Sequence, residues 1–298
     1  MPPTTITVTS LLPKRYLHMT SSMYLHTARI VQRLLLVVML GALLPTHSMV
    51  FGEAGNPQVN PLKIKKVYDR KNQITDQDRW LKKYVTSSPK RDLSKSLTLF
   101  PFLSKQHGQF SLVYTICEGI DQPVIAFYGI RPSGYQWTPA TMISIYRYEG
   151  TPIIKLDLKE ALQPITNEDE FASPHIRHAL VRDKYIYISL SHRTYAKATK
   201  GINAQIKAYD FDGKLQWTSK SLVANSDNFL IIGDVILTGY GFTKEPDYFF
   251  QLNRHTGSIL KRHKLRSGPN RFSFEAPGLL HIRTYNRNVG YQLTRNLD

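Results

Sequence analysis

Lys207-Ala-Tyr-Asp-Phe-Asp-Gly213-Lys-Leu-Gln-Trp217 is the stretch of this sequence that decides the fold. Residues that favour strands lie on both sides of a polar segment ending in glycine, which is typical of two antiparallel strands joined by a tight turn. The same layout recurs in Gln251–Lys261 and, upstream, in Ile145–Lys155, each with a glycine at the turn. The chain therefore contains a repeated unit of strand, turn and strand.

A second turn accompanies these copies. Asp183 lies between two apolar segments, and Asp234 and Gly278 hold matching places later in the chain. Several short strands within about 40 to 60 residues make one small sheet, and repetition of such sheets predicts propeller blades or an array. From about residue 97 onward, runs rich in Val, Ile, Tyr and Phe alternate with Gly, Pro, Asn and Asp, which predicts an all-β domain. Strands are predicted at Phe110–Ile116, Val124–Tyr128, Met142–Tyr148, Lys184–Leu190, Gln205–Tyr209, Phe229–Ile232, Val235–Thr238, Tyr248–Leu252 and Leu279–Tyr285.

The pattern Tyr-Asp-x-x-Gly-x-x-x-Trp at Tyr209–Trp217, with Asn253-Arg-His-Thr-Gly257 after it, resembles the repeat of quinoprotein-like (PQQ-like, or WD40-like) β-propellers. The resemblance covers residues 110–298 at most, and it implies a β-propeller-like fold with few or divergent blades. Trp217 alone occupies the tryptophan position of the repeat, and about four repeats are visible where this family usually has six to eight blades. A further blade from residues before 110, or a β-sandwich, is the alternative.

Within that family, the quinoprotein dehydrogenases bind a quinone and a calcium ion through acids, an arginine and a vicinal disulfide. Cys117 is the only cysteine of the chain, which excludes such a disulfide, and no residues match the quinone or calcium ligands. The resemblance therefore implies the non-enzymatic branch, whose members are binding or assembly scaffolds. We predict no cofactor, no metal site and no catalytic residue.

Other groups of reactive residues have a simpler structural explanation. His175 and His178 would share a face on a helix and could bind a metal there, but Pro174 and the surrounding strands argue against a helix. Glu168-Asp-Glu170 could supply two carboxylates for glycoside chemistry, although adjacent acids in a polar segment are typical of a solvated turn. An extracellular polysaccharide-active enzyme with an unrecognised site is the alternative function.

The N-terminal region predicts export. Arg29 and Arg33 precede Leu34–Leu44, eleven apolar residues without charge, and Pro45 and small residues follow. This order is typical of a secretory signal peptide, at about residues 29–54, and so short an apolar helix does not span a bilayer. We predict a periplasmic or secreted protein. A single uncleaved N-terminal membrane anchor is the alternative.

Three regions divide the chain. Residues 1–54 are the N-terminal extension and signal peptide, residues 55–96 a basic linker with a short helix, and residues 97–298 the propeller-like domain. The helix is predicted at about 76–85, because the capping pattern Thr75-Asp-Gln-Asp78 is followed by apolar residues at helical spacing.

Positive charge is concentrated in two stretches. The formal net charge is +17, and residues 62–95 and 254–271 hold much of it. Such fields attract polyanions. Because export is predicted, we expect a protein or a polyanionic envelope component as partner rather than nucleic acid. A solvated basic surface with no dedicated partner is the alternative.

Aromatic residues beside basic ones are the candidate ligand-binding residues. The segment 129–139 is hydrophilic enough to form an exposed loop, and it carries Tyr135 and Trp137 together with Arg131. A second aromatic segment carries Tyr240 with Lys244 nearby. Such faces suit stacking on sugars or on the side chains of a partner. Strand aromatics that alternate into the core are the alternative.

Overall fold

Strands make up most of the part of the chain that the computed structural model describes, residues 58–72, 93–131, 138–161, 174–192, 194–275 and 277–294. Within these ranges lie seventeen strands and one short helix, α1 (Leu93–Leu99). The described residues from Val59 onward belong to one compact unit. The prediction of an all-β domain is confirmed. The predicted signal peptide at 29–54 and the predicted helix at 76–85 lie outside the described residues.

The strands form four antiparallel sheets. Sheet 1 contains β2 (Gln106–His107), β3 (Phe110–Ile116), β4 (Val124–Gly129), β5 (Ala140–Tyr146) and β6 (Pro152–Asp157). Sheet 2 contains β7 (Pro174–Arg182), β8 (Tyr185–His192), β9 (Gln205–Asp210) and β10 (Leu215–Thr218). Sheet 3 contains β11 (Leu230–Ile232), β12 (Val235–Tyr240), β13 (Tyr248–Asn253) and β14 (Ile259–Lys264). Sheet 4 contains β15 (Pro269–Glu275), β16 (Leu279–Thr284), β17 (Arg287–Leu293) and, from much earlier in the chain, β1 (Ile64–Lys71).

The repeated sequence layout corresponds to the last two strands of sheets 1 to 3. Gly150, Gly213 and Gly257 lie in the turns β5–β6, β9–β10 and β13–β14, and all three have positive φ, of 102°, 79° and 70°. The second set of turns joins the strand pairs β7–β8, β11–β12 and β15–β16. Sheets 1 to 3 and the strands β15 to β17 of sheet 4 are therefore meanders in which neighbours in sequence are neighbours in space, whereas β1 joins sheet 4 from elsewhere in the chain.

Three apolar clusters join the sheets in chain order. Sheets 1 and 2 share one that contains Ile143 and Ile188. Sheets 2 and 3 share another around Ile206 and Ile236, and sheets 3 and 4 share a third around Phe249. On the other side of sheet 1, residues that follow α1, including Phe100 and Leu103, form a fourth cluster with side chains of β4 and β5.

Successive antiparallel meanders that pack face to face are the architecture of propeller blades, so the fold is β-propeller-like. A β-sandwich, the alternative considered above, would pack two sheets rather than four in sequence. The strand β12, which lies between sheets 2 and 4, and the strands β4 and β5, which lie between sheet 2 and the residues after α1, are buried on both faces over their whole length.

The strand β1 corrects the prediction of a linker over residues 55–96. It pairs with β17, with Ile64 opposite Leu293 and Lys71 opposite Arg287, and it completes sheet 4. Its burial pattern is mostly exposed, because an edge strand keeps one side in water. A lysine-rich strand of this kind has the composition of a linker, and the sequence could not distinguish the two.

Candidate functional site

In sheets 2 and 3, the connections at one end of the sheet are longer than those at the other end. At one end, here called the turn end, tight turns follow the first and third strands of the meanders. At the opposite end, called the loop end, the connecting segments are 130–139 (β4 to β5), 193–204 (β8 to β9), 241–247 (β12 to β13) and 285–286 (β16 to β17). Because antiparallel neighbours alternate in direction, the strand ends that these segments join lie opposite the tight turns of the same sheet. Of the candidate residues, Arg131 and Lys244 lie in these segments and Tyr240 is the last residue of β12.

The structure tests the exposure of three of these candidates. Arg131 and Lys244 are exposed. The exposure expected for Tyr240 is corrected, because only 4% of this residue is accessible and its ring belongs to the cluster between sheets 2 and 3. Tyr135 and Trp137 lie outside the described residues, and their binding role stays a prediction.

Glu245 joins the two adjacent loops of sheets 2 and 3. The backbone N–H of Ala196 donates a hydrogen bond to its Oε1 over 2.8 Å, and the hydroxyl of Tyr240 donates to its Oε2. Burial, and then the hydrogen bond and charge of Glu245, raise the pKa of Tyr240, so the phenol stays a donor. Above this contact, the rings of Tyr195 and Phe242 meet edge to face with centroids 4.7 Å apart.

The exposed surface around that ring pair combines aromatic, aliphatic and basic side chains. Tyr195 is 42% exposed and Ile202 is 50% exposed, and an exposed apolar patch is more informative than a single exposed apolar residue. We call the surface the loop patch; its residues are Tyr195, Lys197, Lys200, Ile202, Phe242 and Lys244, of which the three lysines are exposed.

The acids of these loops point inward. Asp247 packs beneath Gly241 and Gly268, where a Cβ on Gly241 would overlap its Oδ1. Burial raises the pKa of Asp247. Since Glu245 is engaged by two donors, the fully exposed charges of the patch are those of its lysines. Sequence reasoning found Lys244 but missed Tyr195 and Ile202, although the length of the segment between β8 and β9 was a usable signal.

A polar cluster at the turn end has a structural role. Arg254 donates to Asp183 over 2.7 Å and to Asp234 over 2.9 Å, and so it links the turns of sheets 2 and 3. The His255 hydrogen bond, with the Arg254 charge, lowers the pKa of Asp234 despite partial burial. The matching turns at Asp183 and Asp234 thus share one arginine.

The histidines considered as metal ligands lie on strands. His175 and His178 are buried on β7, where a bulge separates Ile176 from His178. No group of three or more His, Cys, Asp or Glu is placed to hold a metal ion within the part of the chain described by the structure. In the same part, no helix is long and apolar enough to cross a membrane.

Comparison with known proteins gives distant structural likenesses. No protein-family description matches the chain, and no curated protein matches it. The computationally designed Ika8 protein aligns at 8% identity and a TM-score of 0.38, covering 60% of this chain and 45% of that one. BamB from Moraxella catarrhalis aligns at 11% identity and a TM-score of 0.29, covering 63% of this chain and 71% of that one. A europium-containing methanol dehydrogenase aligns at 10% identity and a TM-score of 0.35, covering 60% of this chain and 42% of that one. The chain thus spans less than half of the designed protein and of the dehydrogenase.

Proposed function

We propose that the protein is an exported, non-enzymatic binding or scaffold protein whose loop patch recognises a partner protein. The observation that carries the proposal is the contact between the exposed Tyr195 ring and the half-buried Phe242 ring, on loops that also carry the exposed Ile202 and three exposed lysines. Protein interfaces are centred on aromatic anchors with a polar rim, and the patch has this composition. Export is supported by the signal-like order of Arg29, Arg33 and the apolar segment after them.

Charge distribution favours the loop end over the turn end. Asp121, Glu149, Asp183, Asp212 and Asp234 all lie in or beside turns at the turn end. The loop patch presents lysines, and the acids Glu245 and Asp247 beneath it are engaged or buried. A partner with an acidic rim around an apolar centre would match the patch, whereas the turn end presents its acids among exposed cations such as Lys184 and Lys214.

A site-specific crosslinking experiment tests the proposed surface. A photoreactive phenylalanine analogue replaces Lys197 in the loop patch, or Asp212 at the turn end as the matched control, in cells that express the full chain. We expect a defined protein adduct from position 197 alone. Its yield should fall at least about fivefold when Tyr195→Ser is added, because an anchor ring typically contributes more than 1 kcal/mol. Equal adducts from both positions, or none from either, would contradict the proposal.

Export is tested separately by intact mass and N-terminal sequencing of the protein from periplasmic and culture fractions. A mature start near Met49 or Gly55 is the expected result. An intact N-terminus in the cytoplasmic fraction would exclude export. The partner of the photoreactive variants would then be a cytoplasmic protein.

A further inference from the structure

The fold brings the two basic stretches of the sequence together. One contains β14 and the other contains β1, and these are the last strands, and therefore edge strands, of neighbouring sheets. Leu62, just before β1, donates its backbone N–H to Oε1 of Gln251 on β13 over 2.6 Å, and its carbonyl accepts from Nε2 of Gln251 over 3.2 Å. The ring of His263 on β14 lies 6.2 Å from that of Tyr291 on β17.

The strand β14 presents a row of cations. Lys261, Arg262 and Lys264 are exposed, and none of the three has an ion-pair partner among the residues described. The guanidinium carbon of Arg262 lies 5.3 Å from the ring centroid of Tyr248 on β13, which fixes its position. Arg266, just after the strand, is also exposed.

The strand β1 adds a second row. Its exposed cations are Lys65, Lys66, Arg70 and Lys71. Asp69 is its only acid, and it is held by Arg287, with Lys66 at 3.6 Å. Burial would raise the pKa of Asp69, but the hydrogen bond and charge of Arg287, with Lys66 and Arg266, lower it, so this carboxylate is ionised and already neutralised.

We propose that this basic rim binds a linear acidic polysaccharide. The rim consists of Lys65, Lys66, Arg70, Lys71, Lys261, Arg262, Lys264 and Arg266. Its charges follow two edge strands, and a strand of eight residues such as β1 is about 27 Å long. Cations in extended rows suit a chain of anionic groups, whereas a compact anion needs donors that converge on one point.

The chemistry of the rim favours a polysaccharide over a single-stranded nucleic acid. Base recognition needs aromatic faces on which bases stack. Tyr68 and Tyr248, aromatic residues on or beside the rim strands, are half-buried and have Arg70 and Arg262, respectively, over their rings. Lysine ammonium groups attract sulfate or carboxylate groups as point charges, so we expect strong dependence on salt.

The experiment compares two triple variants of equal charge change in the full chain. Lys261→Glu, Arg262→Glu and Lys264→Glu alter the rim, and Lys197→Glu, Lys200→Glu and Lys244→Glu alter the loop patch. Binding of a fluorescent heparin dodecasaccharide is measured by anisotropy at 50 and 150 mM NaCl. A single-stranded oligonucleotide of matched charge is the second probe, and melting curves establish that each variant is folded.

We expect the rim variant to lose at least about 30-fold in dodecasaccharide affinity and the loop-patch variant less than about threefold. The unaltered protein should bind the dodecasaccharide more tightly than the oligonucleotide. If the rim variant does not fold, the glutamine versions of the same three substitutions replace it, with an expected loss of about tenfold.

Three results would overturn the inference: equal losses in both variants, tighter binding of the oligonucleotide, or unchanged affinity of a rim variant that only aggregates more. The last result would mean that the lysines merely prevent pairing of edge strands between molecules. The proposed partner site at the loop patch is independent of these outcomes, because its crosslink at position 197 does not involve the rim.

Discussion

Gly257 and Trp217 explain at the level of single residues why the repeated motif needs both a glycine and a tryptophan. Gly257 has φ of 70° in the turn β13–β14, and a Cβ at this position would overlap the indole ring of Trp217 on β10. The ring of the sheet 2 tryptophan therefore packs against the turn glycine of sheet 3. The tryptophan of one copy of the motif thus packs against the turn glycine of the next copy.

We expect Gly257→Ala to lower the free energy of unfolding by about 2 to 4 kcal/mol, since the methyl group adds overlap to the backbone strain of a positive φ. Gly201→Ala is the matched control, because Gly201 has φ of 80° with no atom within 4 Å of a Cβ. It should lose only about 1 kcal/mol. Urea unfolding followed by fluorescence measures both, and equal losses would show that Trp217 does not confine the turn.

The candidate site was partly predictable from single residues. Lys244 and Arg131 are exposed as expected, whereas Tyr240 points into the cluster between sheets 2 and 3. The strand β12 is buried on both faces, so its sequence has no alternation of apolar and polar residues that would show where each side chain points. Tyr195 was missed because its contact with Phe242, on a loop of another sheet, leaves no local signal in the sequence.

Among the elements, most strands rich in apolar residues were predicted, including the edge strand β11, predicted at Phe229–Ile232, whereas β1 and the inner strand β17 were not. The predicted strand Phe110–Ile116 coincides with β3, and those at 205–209 and 248–252 differ from β9 and β13 by one residue. The edge strands β14 and β1 carry lysines and arginines at most exposed positions and so lack an apolar pattern. Pairing across the chain, as between β1 and β17, leaves no local signal in the sequence.

The pairing of β1 with β17 depends on Gly290. A Cβ at Gly290 would overlap the ring of Tyr68 on β1. We expect Gly290→Ala to displace β1 and to increase the rate of native-state trypsin cleavage at Lys65 and Arg70 at least about tenfold, because edge strands that lose a neighbour open locally.

Adding Tyr68→Ala to the same chain should restore most of the protection, since it removes the ring that the new methyl group would meet. Cleavage at the unaltered rate in Gly290→Ala would show that β1 does not need this close approach.

At the scale of the whole molecule, one buried and one half-buried histidine make stability depend on pH. His178 lies against Phe229 at the contact of sheets 2 and 3, and burial, then the charge of Arg271, lower its pKa to about 3. His263 lies between Phe249 and Tyr291 at the contact of sheets 3 and 4, and burial, then Lys261, lower its pKa to about 4. Unfolded histidine titrates near pH 6.5. Acidification below that value therefore favours the unfolded chain, which takes up the protons first.

We expect the free energy of unfolding to fall between pH 7 and pH 5, with His178 alone accounting for about 2 kcal/mol of the decrease. The variant His178→Gln should be less stable than the unaltered protein at pH 7. Its free energy of unfolding should fall about 2 kcal/mol less between pH 7 and pH 5 than that of the unaltered protein. Urea titrations at the two pH values measure the difference. An identical pH dependence in the variant would mean that His178 is protonated equally in both states.

Because β1 pairs with β17, sheet 4 cannot be completed until β17 has been synthesised. Asp69 and its partner Arg287 are 218 residues apart. At ribosomal rates of about 5 to 20 residues per second, roughly 10 to 40 s pass between the synthesis of β1 and that of β17. During that interval sheets 1 to 3 can form from strands that are already made, while β1 remains an unmatched segment. Its lysines then act as gatekeepers that keep a nascent strand from pairing with another chain.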